Sequence, residues 1–273
     1  MNRQTLSRAL VALPLAFSPM ATLAQESDPA PERTLDVREA LAVLPWQVLE
    51  DGLELKEIVS QRGIRIRAFR ISLKHFDLGI VLANNAMGER ANEIGERSEA
   101  VLAVNGGFFG ETETERKLYP VGYLRLEGKV HAAPWQTSGG YLSINKDRVS
   151  IRPSIEGPGI EGAGDAIQSK PLLIEPGGKW AMNTNQQKLR PRTIVCTFGN
   201  DSFLLAVISG SGMSLYEAGW LMRDAGVGGY FGCDAALAMD GGGSTQLWVS
   251  SDTSLGIVGE TPVNNALVVK RRK

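Results

Sequence analysis

The stretch Ala235-Ala236-Leu237-Ala238-Met239-Asp240-Gly241-Gly242-Gly243-Ser244-Thr245 decides how this chain is read. Its five apolar residues are too few for a helix and run straight into turn residues, so they predict a buried strand. The strand ends on a carboxylate, Asp240. Gly241, Gly242 and Gly243 then let the backbone pass close to a ligand and aim successive amides at it. Ser244 and Thr245 add hydroxyls. Such a nest suits a phosphate or the hydroxyls of a sugar; the plainer alternative is a tight turn that needs positive φ. No Lys follows the glycines, so this is not a nucleotide-binding P-loop.

Working outward, the same device recurs. Val101 to Val104 predicts a short apolar strand that ends in Asn105-Gly106-Gly107-Phe108-Phe109. An amide, two glycines and aromatics make a sugar-binding rim or, more plainly, a turn over core aromatics. Arg190 and Arg192, with Thr193, open another strand. Two guanidinium groups suit bidentate anion recognition, or form a solvated pair. Gln168-Ser169-Lys170 precedes the apolar run 171–174, and Asn264-Asn265 precedes the last strand.

The remaining chain reads mostly as β-structure. From Leu53 to Leu82 the pattern turns β: Ile64, Ile66 and Ala68 alternate with Arg65 and Arg67, and Phe69-Arg70-Ile71 continues it. Residues 119–126, 140–144 and 149–151 predict short strands, and the glycine-rich 154–164 a loop. Residues 193–198 and 203–208 predict a hairpin turning at Gly199-Asn200-Asp201; Asn200-Asp201-Ser202 is also a glycosylation sequon. Residues 246–249 and 266–269 predict closing strands. Helices are expected over 89–102 and after Ser214-Leu215-Tyr216-Glu217, a capping box. In the second helix Leu215, Ala218, Met222 and Ala225 share one face, and the end falls near Gly226. The expected fold class is α/β in the α+β sense: a single mixed-sheet domain with few helices, whose strand-end glycine loops form one cleft.

The chain has 273 residues, 43% hydrophobic and 22% charged, which are values of a folded globular protein. A net charge of −1 argues against a nucleic-acid partner held by bulk charge. No apolar run is long enough to span a membrane. Arg3 and Arg8, an apolar stretch from Ala9 to Phe17 and small residues up to Ala24 predict an export signal over residues 1–24, cleaved after Ala24. Residues 25–52 are expected to be a leader and N-terminal segment, flexible over 25–36, and 53–273 the functional domain. Export places the protein in a periplasmic or extracellular setting. There Cys196 and Cys233 either pair or remain two buried thiols. Two His and two Cys at these spacings do not make a tetrahedral zinc site.

Taken in order, Asn105-Gly-Gly-Phe-Phe109, residues 166–174, Arg190-x-Arg-Thr193, residues 214–222, the run 233–244 and Asn264-Asn-Ala-Leu-Val-Val269 resemble the phosphodiester glycosidase family. The resemblance covers about residues 55–270. It departs from the family pattern at Lys170 and at Val195-Cys196, where glycine is expected. It implies a hydrolase that cleaves a sugar C1–O bond to phosphate, with a phosphodiester-linked sugar or glycan as partner. Asp240 is then the candidate nucleophile or general base, and Arg190 and Arg192 the electrostatic clamp. Gly241, Gly242, Gly243, Ser244 and Thr245 would hold phosphate or sugar hydroxyls. Asn105, Gly106, Gly107, Phe108, Gln168, Ser169, Thr193 and Asn265 would line and orient the sugar. No cofactor is required by the sequence, although a divalent cation such as calcium is compatible with Asp240 and backbone oxygens. Two other classes stay open: a phosphodiesterase attacking phosphorus, and a non-catalytic glycan-binding module of the cell envelope. Oligomeric state is not addressed by the sequence.

Overall fold

The structure is a computed structural model that describes residues 30–136, 138–146, 148–159, 164–199 and 201–273. The expected export signal, the start of the leader, part of the 154–164 loop and Asn200 of the sequon lie outside the described residues.

The class is α+β and mostly sheet. The strands are shared among several sheets rather than gathered into one, and every strand pairing among the described residues is antiparallel. An eight-stranded sheet runs in the order Gln47–Glu50, Leu53–Val59, Ile64–Ser72, Ser202–Met213, Arg190–Phe198, Ala235–Ala238, Leu172–Glu175, Lys179–Trp180. The expected hairpin is its centre: Arg190–Phe198 pairs with Ser202–Met213, and Ile194 to Thr197 pair on the other side with Ala238 to Ala235. A four-stranded sheet has the order Leu247–Val249, Leu102–Asn105, Asn265–Arg271, Phe76–Leu82. A five-stranded sheet has the order Arg148–Pro153, Gly140–Asn145, Asp165–Ser169, Leu124–Leu126, Lys129–Ala132.

Side chains alternate across a strand, so each sheet serves two environments. Val195, Leu205 and Leu237 of the eight-stranded sheet meet Leu102, Val104 and Leu267 of the four-stranded sheet and Leu124, Leu142 and Ile167 of the five-stranded sheet in the main core. Ile194, Cys196, Leu204 and Ala236 point the other way, under two helices. The first helix, α1, is Glu32–Val43, with Val37 and Leu41 buried. This corrects the expectation of a flexible leader for residues 32–36: they form the start of α1, and Arg33 pairs with the buried Glu217 at 3.2 Å. A short second helix, α2 (Ala91–Arg97), covers the outer face of the four-stranded sheet through Ala91 and Ile94. It is shorter than the expected 89–102, because the backbone turns at Glu99 with φ 54° and becomes strand at Leu102. The third helix, α3 (Leu215–Met222), starts on the expected capping box: Ser214 Oγ accepts from Glu217 N at 3.1 Å and Glu217 Oε2 from Ser214 N at 2.8 Å. It stops before Ala225, which stands exposed in a 3₁₀ turn that Asp224 caps.

Cys196 and Cys233 form a disulfide with Cα atoms 5.7 Å apart, which settles the two cysteine alternatives in favour of the bond. It ties Arg190–Phe198 to the segment entering Ala235–Ala238, the two strands that deliver Arg192 and Asp240.

Candidate active site

Ala235–Ala238 is fully buried, as its unbroken apolar run requires. At its end the chain reaches the four-stranded sheet. Asp240 N donates to Gly106 O at 3.1 Å, and Asn105 Nδ2 donates to Asp240 O at 2.7 Å. The two glycine loops expected from the sequence therefore meet. Asn105 is completely buried, and its Oδ1 accepts from Thr193 Oγ1 at 2.6 Å and from Gln246 N at 3.1 Å. One amide side chain thus joins three strand ends. Asn265 makes a similar joint, accepting Gly107 N at 2.8 Å on its Oδ1. Gly106 must be glycine, since a Cβ there would sit 2.0 Å from that same oxygen.

The carboxylate itself is half-buried. Burial holds its pKa above the ordinary Asp value, with hydrogen bonds from Ser244 and from Gly241 N (2.8 Å) pulling in the opposite direction. Gly242 takes φ +63°, a conformation that strains other residues, and begins the 3₁₀ turn Gly242–Ser244. Thr245 Oγ1 is buried with no hydrogen-bond partner among the described residues.

Arg192 flanks this turn, with Nη1 3.4 Å from where a Cβ on Gly241 would stand. Its Nε donates to Met213 O at 3.0 Å and Nη2 to Lys188 O at 2.7 Å, which fixes the plane of the guanidinium. Burial, and next the like charge of Arg190, lower its pKa. Among the described residues no carboxylate lies within ion-pairing distance of it. A half-buried, oriented cation beside an amide-rich turn has the chemistry to accept an anion.

The sequence candidates separate into two groups. Asp240, Gly241, Gly242, Gly243, Arg192 and Phe108 are half-buried, and Arg190 is exposed. Asn105, Gly106, Gly107, Gln168, Ser169, Thr193, Ser244, Thr245 and Asn265 are buried. Several of these are committed to internal bonds. Gln168 Oε1 accepts from Tyr123 N and Trp135 N, while its Nε2 donates to Trp135 O. Ser169 Oγ donates to Ala238 O at 2.7 Å, which fastens the five-stranded sheet to the strand carrying Asp240. Lys170 places its ammonium 3.7 Å from the ring centroid of Trp135.

One acidic residue escaped the sequence reading. Glu260 N donates to Gly243 O at 2.8 Å, and its Oε2 lies 2.8 Å from where a Cβ on Gly243 would be. Glu260 is exposed and stands between Gly259 and Pro262, ahead of Asn264-Asn265. A lone acid in a Gly/Pro loop just before a candidate motif was the available signal. Among the described residues no three His, Cys, Asp or Glu side chains cluster as metal ligands.

Residues 98–270 match the family model for phosphodiester glycosidase. The chain belongs to the phosphodiester glycosidase family. The family is one of hydrolases, so the protein is an enzyme of the phosphodiester glycosidase type. Its fold is similar to that of the zebrafish N-acetylglucosamine-1-phosphodiester alpha-N-acetylglucosaminidase catalytic domain, whose structure is described as auto-inhibited by its pro-peptide. That likeness has a TM-score of 0.60 at 15% identity and covers 83% of this chain and 86% of the other. A Synechocystis protein shows a TM-score of 0.58 at 15% identity, over 84% of this chain and 64% of its own. No curated protein matches the sequence. As in other phosphodiester glycosidases, a phosphodiester-linked sugar fits as substrate.

Proposed function

We propose that this phosphodiester glycosidase is exported and hydrolyses the C1–O bond between a sugar and a phosphate in a glycan or glycoconjugate. The observation that carries the reading is Arg192, oriented beside the Asp240 glycine turn and without a counter-ion among the described residues. An ordinary glycosidase expels an alkoxide and needs a strong general acid as well as a second carboxylate. Here the leaving group is a phosphate monoester, with a pKa of about 6 against about 15.7 for water. Proton donation to it matters little, and neutralising its charge matters more.

In this reading Arg192, with Arg190 at the rim, and the Gly242 and Gly243 amides receive the phosphate, while Gly241 N stays bonded to Asp240 Oδ1. Asp240 acts at C1 as nucleophile or general base. Where Asp240 is the nucleophile, Glu260, across the turn, is the second carboxylate and takes the proton of the water that releases the sugar; where Asp240 is the general base, Asp240 takes that proton itself. Phe108 packs against the sugar. Asn105, Gln168, Ser169, Thr193 and Asn265 act as positioning residues, since their polar atoms already hold the loops. A divalent cation such as calcium at Asp240 is an accessory that oxygen donors permit; activity after chelation and after calcium is restored measures it. The disulfide supports export, because such bonds persist in oxidising compartments. Among the described residues no helix is long and apolar enough to cross a membrane.

The test is turnover of a sugar 1-phosphodiester in ¹⁸O-labelled water. Label in the sugar is expected. Label in the phosphate would replace this reading with attack at phosphorus, and glycan binding without product would make the protein a binding module.

A further inference from the structure

A second concentration of arginine lies on the outer face of the five-stranded sheet. A cavity of about 200 Å³ there is lined by Arg125, Arg148 and Arg152 together with Ser143, Ser150 and Gly159. The register explains the grouping: Ser150 pairs with Ser143, Ser143 with Ala166, and Ala166 with Arg125, so one row crosses four strands on one face. Arg148 and Arg152 flank Ser150 at period two and share that face, while Val149 and Ile151 enter the core.

Arg125 is only 7% exposed. Its Nε donates to Gly164 O at 3.0 Å and its Nη1 to Gly159 O at 3.1 Å, so the guanidinium is fixed while Nη2 has no acceptor among the described residues. The Arg152 guanidinium lies over the same Gly159, 3.8 Å from where its Cβ would be. Among the described residues no Asp or Glu lines the cavity, and none of the three arginines has an ion-pair partner. Three guanidinium groups facing one small polar space repel one another, and burying one of them costs free energy unless an anion compensates.

We propose that this cavity is an oxyanion site that takes a phosphate or phosphodiester group. It is separate from the Asp240 turn. Gly164 stands just before strand Asp165–Ser169, and Ser169 at the far end touches the strand leading to Asp240, about 16 Å away along extended chain. Planar arginine forks match tetrahedral oxyanions in bidentate fashion, and the Ser150 hydroxyl adds a donor, whereas Ser143 Oγ already donates to Pro158 O at 2.9 Å. Two sources supply this chemistry: free phosphate, and a phosphate carried on the same polymer as the scissile bond. The second source rests on the proposed hydrolytic function; binding itself does not.

Titration calorimetry with inorganic phosphate at low salt tests it, in an Arg192→Ala background that silences the glycine-turn site. Saturable binding is expected, weakened at least tenfold by adding Arg148→Ala and Arg152→Ala. Both side chains are exposed, so the fold tolerates their loss, and circular dichroism verifies it. No saturable phosphate binding, or binding indifferent to the two substitutions, overturns the proposal. A phosphodiester-linked oligosaccharide that binds at least tenfold more tightly than inorganic phosphate through the same two arginines assigns the site to polymer. Equal affinities assign it to free phosphate. Because neither arm requires turnover, a failed hydrolysis assay leaves this result standing.

Discussion

Asn105 and Asp240, 135 residues apart in the chain, are joined by a 2.7 Å hydrogen bond from the amide of one to the main-chain carbonyl of the other. The same amide accepts from Thr193 and Gln246, so three separate strand ends depend on one buried side chain. Asn105→Ala strands these buried partners and should cost about 2–4 kcal/mol, with hydrolysis falling in step. Chemical denaturation and turnover of the same sample check it. A fully stable Asn105→Ala protein would show that the joint is not a brace.

Asp240→Asn should be more stable than the wild type at neutral pH and lose at least about a hundredfold in turnover. Burial raises the folded-state pKa of Asp240 above its unfolded value. Between those two values the folded chain binds more protons, so stability contributed by this group falls as pH rises through the window. Below the unfolded value the carboxyl is neutral in both states and the penalty vanishes. The Tm advantage of the variant should therefore close as pH is lowered toward about 3–4. The acidic limb of kcat/KM, if Asp240 acts as the anion, should lie above the ordinary carboxylate range.

Thr245→Val separates two roles for one hydroxyl. Thr245 Oγ1 is buried without a partner among the described residues, and leaving such a group unmade costs about 1–3 kcal/mol. Its replacement by an isosteric methyl should hold or raise Tm. A fall in kcat/KM of tenfold or more in that stable variant identifies the hydroxyl as a substrate contact; unchanged kinetics remove it from the site.

Glu260→Gln should lower kcat with little change in KM and flatten one limb of the pH profile, because the amide keeps the shape against Gly243 and loses the charge. An unaltered profile would take Glu260 out of the chemistry.

What could be read beforehand was local. The Ser214–Glu217 box and the apolar run ending at Asp240 carry their meaning within a few residues, and both stand as expected. Helix α1 has no side-chain N-cap bond, and its stability is tertiary, through Val37 and Leu41 on the eight-stranded sheet and Arg33 on Glu217. The polar residues beside glycines posed the harder problem. Asn105, Gln168 and Asn265 look alike whether they bind a ligand or their own backbone, and only neighbours distant in sequence decide which. Glu260 had only its Gly/Pro loop context to mark it, for the same reason: its proximity to Gly243 is made by the return of the chain before Asn265–Arg271.

The Cys196–Cys233 bond spans 37 residues of sequence and closes a loop that contains strand Ser202–Met213 and α3. By the chain-entropy account its removal as Cys196→Ala/Cys233→Ala should cost roughly 4 kcal/mol, read as a shift of the denaturation midpoint.

That bond also works when nothing else does. In the oxidised but unfolded chain every hydrogen bond around Asn105 is gone, yet the segments bearing Arg192 and Asp240 stay tethered at high effective concentration. The enzyme keeps a covalent memory of which strand belongs beside which. A chain that unfolds with this bond intact begins refolding with those two strands already held close together.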